Sequence, residues 1–241
     1  MHMYSEKYNV ISTDVDANLE MRIAVLTRYM QDVATAQVDK LHFGHEDLVK
    51  DNNIWVVARM QMKINRLPKL GEEIVIATHP GETKTFMFPR YFMVYDKHKN
   101  LLVSVSSIWV VTNYATRKIV LRPFANRSLP AESHKDDLSL PERISGTESA
   151  TQLVDQRKTR YSEMDMNGHI NNTHYIDYIL DTHNFDFYKR NRITGIEINY
   201  EKEILNDSVV DIFTNEENPE IIVGKIDDKA SFSARISYEE R

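Results

Sequence analysis

A chain of 241 residues with 41% hydrophobic and 27% charged residues and a formal net charge of −6 has the profile of an ordinary globular protein, and its acidic balance argues against one devoted to nucleic acid. The absence of cysteine excludes disulfides, thiolate metal sites and a cysteine nucleophile. Seven widely spaced glycines leave no G-x-G-x-x-G turn, no G-x-x-x-x-G-K-[ST] loop and no G-x-S-x-G elbow, which argues against the common nucleotide-binding loops and common serine hydrolase chemistry.

No apolar run nears the ~20 residues that cross a bilayer; Ile54-Trp55-Val56-Val57-Ala58 is typical of the longest. The start, Met1 to Lys7, lacks the basic region and apolar stretch of a signal peptide. A cytoplasmic location with no membrane partner is expected.

In chain order, Tyr8 to Thr13 reads as a short strand. Leu19, Ile23, Leu26, Met30, Val33 and Val38 then recur at helical spacing. Strand-like runs follow at Ile54 to Ile64, Glu73 to Thr78, Thr85 to Tyr95 and Leu101 to Thr112, with a shorter one around Lys118 to Leu121. Turn residues separate them, at Leu70-Gly71-Glu72, Pro80-Gly81 and Asp96 to Asn100. Trp55, Trp109 and the methionines Met60, Met62, Met87 and Met93 fall in these apolar runs and read first as core packing.

Residues 123–149 carry Pro123, Pro130 and Pro141 in a polar mixture and read as a linker. The pattern then restarts. Gln152 to Tyr161 reads as a strand and Ile170 to His183 as a helix. Further strands are expected at Ile193 to Tyr200, Ser208 to Phe213, Ile221 to Ile226 and Ala230 to Tyr238. A shift of 151 residues lays Asp14-Val15-Asp16-Ala17-Asn18 on Asp165-Met166-Asn167-Gly168-His169, and Leu70 to Ile74 matches Leu205 to Val209 in character. The chain thus reads as one strand–helix–multistrand unit used twice, over 1–122 and 150–241. Two units side by side would leave an apolar groove suited to a long hydrocarbon.

The segment Asp165 to Tyr175 gathers polar groups where the second helix begins. Asn171, Asn172 or Thr173 can cap it, and the free amides of a helix start suit a developing oxyanion. Residue types alone favour an Asx-rich capping loop with incidental Asp, Asn and His, since such turns are common. A metal site from Asp165, His169 and His174 is another alternative, but no H-E-x-x-H or similar spacing accompanies it.

The run Asp165-Met166-Asn167-Gly168-His169-Ile170-Asn171-Asn172, with Tyr175, resembles the signature of hotdog-fold acyl-thioester hydrolases. With Ile54 to Gln61, Ser107 to Val111 and Ala115 to Lys118, nearly the whole chain is similar to plant and bacterial thioesterases acting on acyl carrier protein (ACP). The resemblance implies an α+β fold of two tandem hotdog units, each an antiparallel sheet wrapped around a long helix. The first unit would hold the acyl chain and the second would carry the chemistry. Asp165, Asn167, His169 and Glu203 match the family's catalytic positions; Glu203 sits in Glu201-Lys202-Glu203, which on sequence alone reads as a solvated charged stretch.

Plant members carry a cysteine just after that glutamate. Here the residue is Ile204, so water must attack directly. The implied reaction is hydrolysis of fatty acyl-ACP without metal or cofactor. A hotdog enzyme acting on acyl-CoA, a non-catalytic acyl-binding module and a hotdog dehydratase are the alternatives, and a monomer and a homodimer are both compatible. An acidic carrier protein would seek a basic patch, for which Arg117, Lys118 and Arg122, then Arg157, Lys158 and Arg160, then Lys189, Arg190 and Arg192 are candidates.

Overall fold

The computed structural model describes residues 3–124 and 128–241; residues 125–127, inside the predicted linker, and residues 1 and 2 lie outside the described residues. The chain divides into two compact units, Met1–Pro141 and Glu142–Arg241. The first contains β1 (Tyr4–Asn9), α1 (Ile23–Lys40), α2 (His45–Val49), β2 (Asn53–Ile64), β3 (Glu73–Pro80), β4 (Phe88–Asp96) and β5 (Leu101–Asn113). The second contains β6 (Gln152–Lys158), α3 (Asn172–Leu180), α4 (Phe185–Arg190), β7 (Asn191–Tyr200), β8 (Val209–Thr214), β9 (Ile221–Ile226) and β10 (Lys229–Glu240).

Both units use one topology. The strand order is β1-β3-β4-β5-β2 in the first and β6-β8-β9-β10-β7 in the second, with antiparallel pairs throughout. In the first unit α1 packs on β1 and β3. Its buried stripe of Ile23, Leu26, Met30, Val33 and Gln37 follows the three-to-four spacing of one helical face. Trp55 and Phe88 meet edge to face at 5.0 Å beside Phe43, Leu48 and Val111, so Trp55 serves the core. In the second unit Tyr175 of α3 lies on Tyr200 of β7 and Phe232 of β10, each at 5.4 Å. The α+β expectation therefore holds in each unit.

Several boundaries differ from those expected. The first strand lies earlier, at Tyr4–Asn9, where it pairs with β3. The run at Lys118 to Leu121 forms only a single bridge, Thr112 to Ile119, and Ile119 and Leu121 are exposed. The second helix stops at Leu180, so only α1, with 18 residues, is long. It stops because the Thr182 hydroxyl donates to the Ile179 carbonyl at 2.7 Å while the Asn184 side chain accepts from the Phe187 amide and starts α4. The residues 128–141 of the expected linker belong to the first unit. There Asp137 meets His79 Nε2 at 2.8 Å and Asp136 accepts from the Tyr95 hydroxyl at 2.8 Å.

Gly224 on β9 shows how tightly the second unit is filled. A methyl group there would lie 2.0 Å from the ring of Phe232, which is fully buried and itself supports Tyr175. Gly224→Ala is therefore expected to destabilise the protein by about 2–4 kcal/mol, because the ring has no room to retreat. A fall in the urea midpoint of the circular-dichroism signal measures it; an unchanged midpoint would contradict this packing.

Candidate active site

The second unit turns from strand to helix through Asp165 to His169, and one carboxylate organises that turn. Asp165 Oδ1 accepts the backbone amides of Asn167 at 2.8 Å and His169 at 3.1 Å. The Asp165 amide donates to the His169 carbonyl at 2.7 Å and the Gly168 amide to the Asp165 carbonyl at 3.2 Å. Gly168 has φ +79, the left-handed region that glycine enters without a Cβ penalty. Asn171 closes the helix start, its side chain accepting from the amide of Thr173 at 2.9 Å and its carbonyl from that of His174 at 2.9 Å. Of the three capping candidates, Asn171 is the N-cap residue.

A second segment docks beside this turn. The Ile170 amide donates to the Ile204 carbonyl at 2.9 Å, and His169 and Leu205 form a bridge pair. These contacts carry Glu203 to His169, where Oε2 stands 3.2 Å from Nε2. The imidazole is buried and the carboxylate half-buried. The charged stretch Glu201-Lys202-Glu203 thus turns one of its acids inward. Asn167 is half-buried, and its Nδ2 reaches Asp165 Oδ2 at 3.4 Å, so the four predicted residues form one cluster. His174 does not join it: its Nδ1 faces Asp177 on its own helix at 3.2 Å. Among the described residues no group of three His, Cys, Asp or Glu side chains is arranged to hold a metal ion.

Two supporting residues carry no role in the sequence reading. The Thr159 hydroxyl accepts from the Ser208 amide at 3.0 Å and donates to the Leu205 carbonyl at 3.3 Å, fixing the far end of the Glu203 segment. The buried Tyr175 hydroxyl accepts from the Ile204 amide at 3.0 Å. Tyr175 stands inside the signature run, the one signal by which it was accessible.

The first unit repeats the turn in a different register from that expected. Asp16 Oδ1 accepts the amides of Asn18 at 2.8 Å and Glu20 at 3.1 Å, and the Asp16 amide donates to the Glu20 carbonyl at 2.8 Å. Leu19, with φ 61, takes the place of Gly168. Asp16 therefore superposes on Asp165, a shift of 149 rather than 151, which puts Glu20 where His169 stands. The Met21 amide donates to the Pro68 carbonyl and Glu20 bridges Lys69, so Leu67 takes the place of Glu203. The later match also moves by one residue, Gly71 at φ 79 falling on Asp207 at φ 57. The expected register failed because Asp14 and Asp16 are both aspartate, and only the hydrogen bonds identify the organising one.

Asp165→Ala is expected to cost about 2–3 kcal/mol of stability, since two amides lose a charged acceptor, and Asp16→Ala a similar amount. Asp165→Asn, which keeps an acceptor oxygen, should lose less than half as much. Urea unfolding of the three variants checks the ordering.

Comparison with known proteins adds family to geometry. A family model described as the acyl-ACP thioesterase N-terminal domain matches residues 1–122, and one described as the C-terminal domain matches residues 146–239. Among curated proteins, the chloroplastic acyl-[acyl-carrier-protein] hydrolase FATB2 of Cuphea viscosissima is 25% identical over 228 residues, covering 88% of this chain and 55% of that protein. The chloroplastic palmitoyl-acyl carrier protein thioesterase of Arabidopsis thaliana is 24% identical over 225 residues, covering 88% and 55%. The chain thus spans about half the length of the curated relatives it matches. Among solved structures, an acyl-ACP thioesterase from Bacteroides thetaiotaomicron superposes with a TM-score of 0.83 at 22% identity over 99% of this chain and 98% of that one. The 12:0-ACP thioesterase from Umbellularia californica gives 0.84 at 19% identity over 100% and 98%. These likenesses show the fold, two hotdog units in one chain.

Proposed function

The chain belongs to the acyl-ACP thioesterase family, and from that premise we propose that it hydrolyses fatty acyl-ACP to free fatty acid and ACP by direct attack of water on the thioester. The observation that carries this reading is the 3.2 Å approach of Glu203 Oε2 to His169 Nε2 beside the turn held by Asp165. A carboxylate and an imidazole at that separation can share a water, orient it and accept its proton, so Glu203 acts as general base with His169 assisting. The Asn167 carboxamide has two N–H donors, and only one faces Asp165. The other is assigned to the thioester carbonyl and the oxyanion that forms on it. The amides of Thr173 and His174 are occupied by Asn171, so the oxyanion is assigned to Asn167 rather than to them. Asp165 holds the turn and takes no proton.

The basic patch that meets the carrier protein is assigned to Arg117, Lys118 and Arg122 in the first unit. In the second candidate patch Arg157 is already held by Asp155 and Asp181. In the third, Lys189 pairs with Asp186 and Arg192 with Glu239. Lys118 and Arg122 are exposed and make no ion pair among the described residues; Lys158, Arg160 and Arg190 share that property, so the assignment rests on the second and third patches each having members already held by carboxylates.

Glu203→Ala and Asn167→Ala should each lower kcat on acyl-ACP at least about 100-fold with the fold intact, the scale of losing a general base or an oxyanion donor. Release of free fatty acid from a ladder of acyl-ACPs, run beside the matching acyl-CoAs, measures this and identifies the carrier. Near-native turnover by both variants would overturn the scheme, and faster hydrolysis of the CoA series would reassign the substrate. For the patch, the double change Lys118→Glu, Arg122→Glu should raise KM for acyl-ACP and flatten its dependence on salt, leaving kcat unchanged. The same steep salt dependence in the double variant would place docking elsewhere.

A further inference from the structure

The mechanism leaves one buried polar contact unused. The Tyr175 hydroxyl, on α3, accepts a hydrogen bond from the backbone amide of Ile204, the residue after Glu203, across 29 positions of sequence. Tyr175 is 4% exposed and Ile204 fully buried, so no water is available to replace either partner. The same helix begins at Asn171, whose amide donates to the Glu163 carbonyl at 2.8 Å within the turn that presents His169. The phenol therefore ties the Glu203 segment to the helix that follows the His169 turn.

The first unit supplies a control within the chain. Its turn keeps the organising aspartate, the paired amides, the left-handed residue and the docking of the second segment. By the register those bonds define, Leu26 stands where Tyr175 stands and Pro68 where Ile204 stands. Proline has no amide hydrogen to give and leucine no oxygen to receive one. Donor and acceptor are missing together, in the unit that also has Glu20 for His169 and Leu67 for Glu203. Thr159 follows the same pattern, since Val10 makes its backbone bond to Glu72 with no hydroxyl. The fold is thus built once without this hydrogen bond and once with it, and it accompanies the acid and the imidazole.

We propose that Tyr175 is a positioning residue for hydrolysis, its hydroxyl fixing the Ile204 amide and thereby the distance between Glu203 and His169. The inference rests on the reading of those two residues as the water-activating pair. Burial holds the Tyr175 phenol well above its ordinary range, so it stays neutral across any working pH and contributes no limb of its own to a pH profile.

The test compares kcat and KM of wild type, Tyr175→Phe, Ile204→Pro and Glu203→Gln on acyl-ACP, with thermal unfolding alongside. Tyr175→Phe keeps both ring contacts and removes only the acceptor; Ile204→Pro removes the donor, as Pro68 does in the first unit. Both should lower kcat about 10–100-fold at unchanged KM. Combining Tyr175→Phe with Glu203→Gln should cost little beyond Glu203→Gln alone. A Tyr175→Phe enzyme that unfolds at lower temperature yet keeps its kcat, or one whose loss adds in full to that of Glu203→Gln, would overturn the proposal, and Ile204→Pro decides it if Tyr175→Phe does not fold. Near-native turnover by Glu203→Gln would instead overturn the water-activating pair itself, an outcome separate from the failure of Tyr175.

Discussion

The structure depends on one electrostatic constraint, met twice: an aspartate whose single oxygen holds two backbone amides at the point where a strand hands over to a helix. Amides two and four residues on point inward at a tight turn, and without an acceptor each would be desolvated for nothing. Asp165 and Asp16 supply it at 2.8 and 3.1 Å in both cases. Hydrogen bonds to a charged acceptor are worth about 1.5–3 kcal/mol, enough to fix a short turn. The rest follows from that geometry. The helix starts in a set direction, and the residue after the turn is presented to a second strand segment, His169 to Leu205 and Glu20 to Lys69.

Asp165 is thereby committed to holding the turn, which separates its place from those of its neighbours. A carboxylate with both near amides on one oxygen is committed as an acceptor and suited to carrying a loop. Glu203 is different, half-exposed and 3.2 Å from an imidazole. The two acids lie within one small cluster; their surroundings give one an architectural place and leave the other the proposed part in proton transfer. The first unit keeps the turn down to individual hydrogen bonds, while Glu20 and Leu67 stand where His169 and Glu203 do, and Val10, Leu26 and Pro68 where Thr159, Tyr175 and Ile204 do.

Hydrophobic periodicity made most of the fold legible, because alternating and helical spacing record which face is buried. It failed where a local polar bond overrides the pattern. Thr182 and Asn184 end one helix and begin another inside what reads as a single apolar stretch. Lys118 to Leu121 has the residue types of a strand but forms only one bridge. In the site, Asp165, Asn167 and His169 stood out as one polar run at a helix start, which residue types alone leave as a capping loop and the family signature singles out. Glu203 was accessible only through family resemblance, since nothing in Glu201-Lys202-Glu203 says which acid turns inward. Thr159 and Tyr175 act through backbone partners tens of residues away, and such contacts leave no local pattern. The internal repeat was visible, but its register was not, because two aspartates two residues apart fit equally well until their hydrogen bonds are known.

The same geometry bears on why, in the proposed reaction, water and not a side chain makes the attack. Glu203 reaches His169 while Ile204, the next residue, is fully buried. Successive side chains of an extended segment point to opposite sides. A nucleophile at position 204 would therefore lie in the core, away from the imidazole, with its backbone amide already given to Tyr175. A hydrocarbon there costs the site nothing and strengthens its support, because the buried isoleucine anchors the segment that Glu203 rides on. The lack of any cysteine thus fits a design in which the position beside the base is used for packing. In the proposed reaction the attacking oxygen then comes from solvent, past the half-exposed carboxylate.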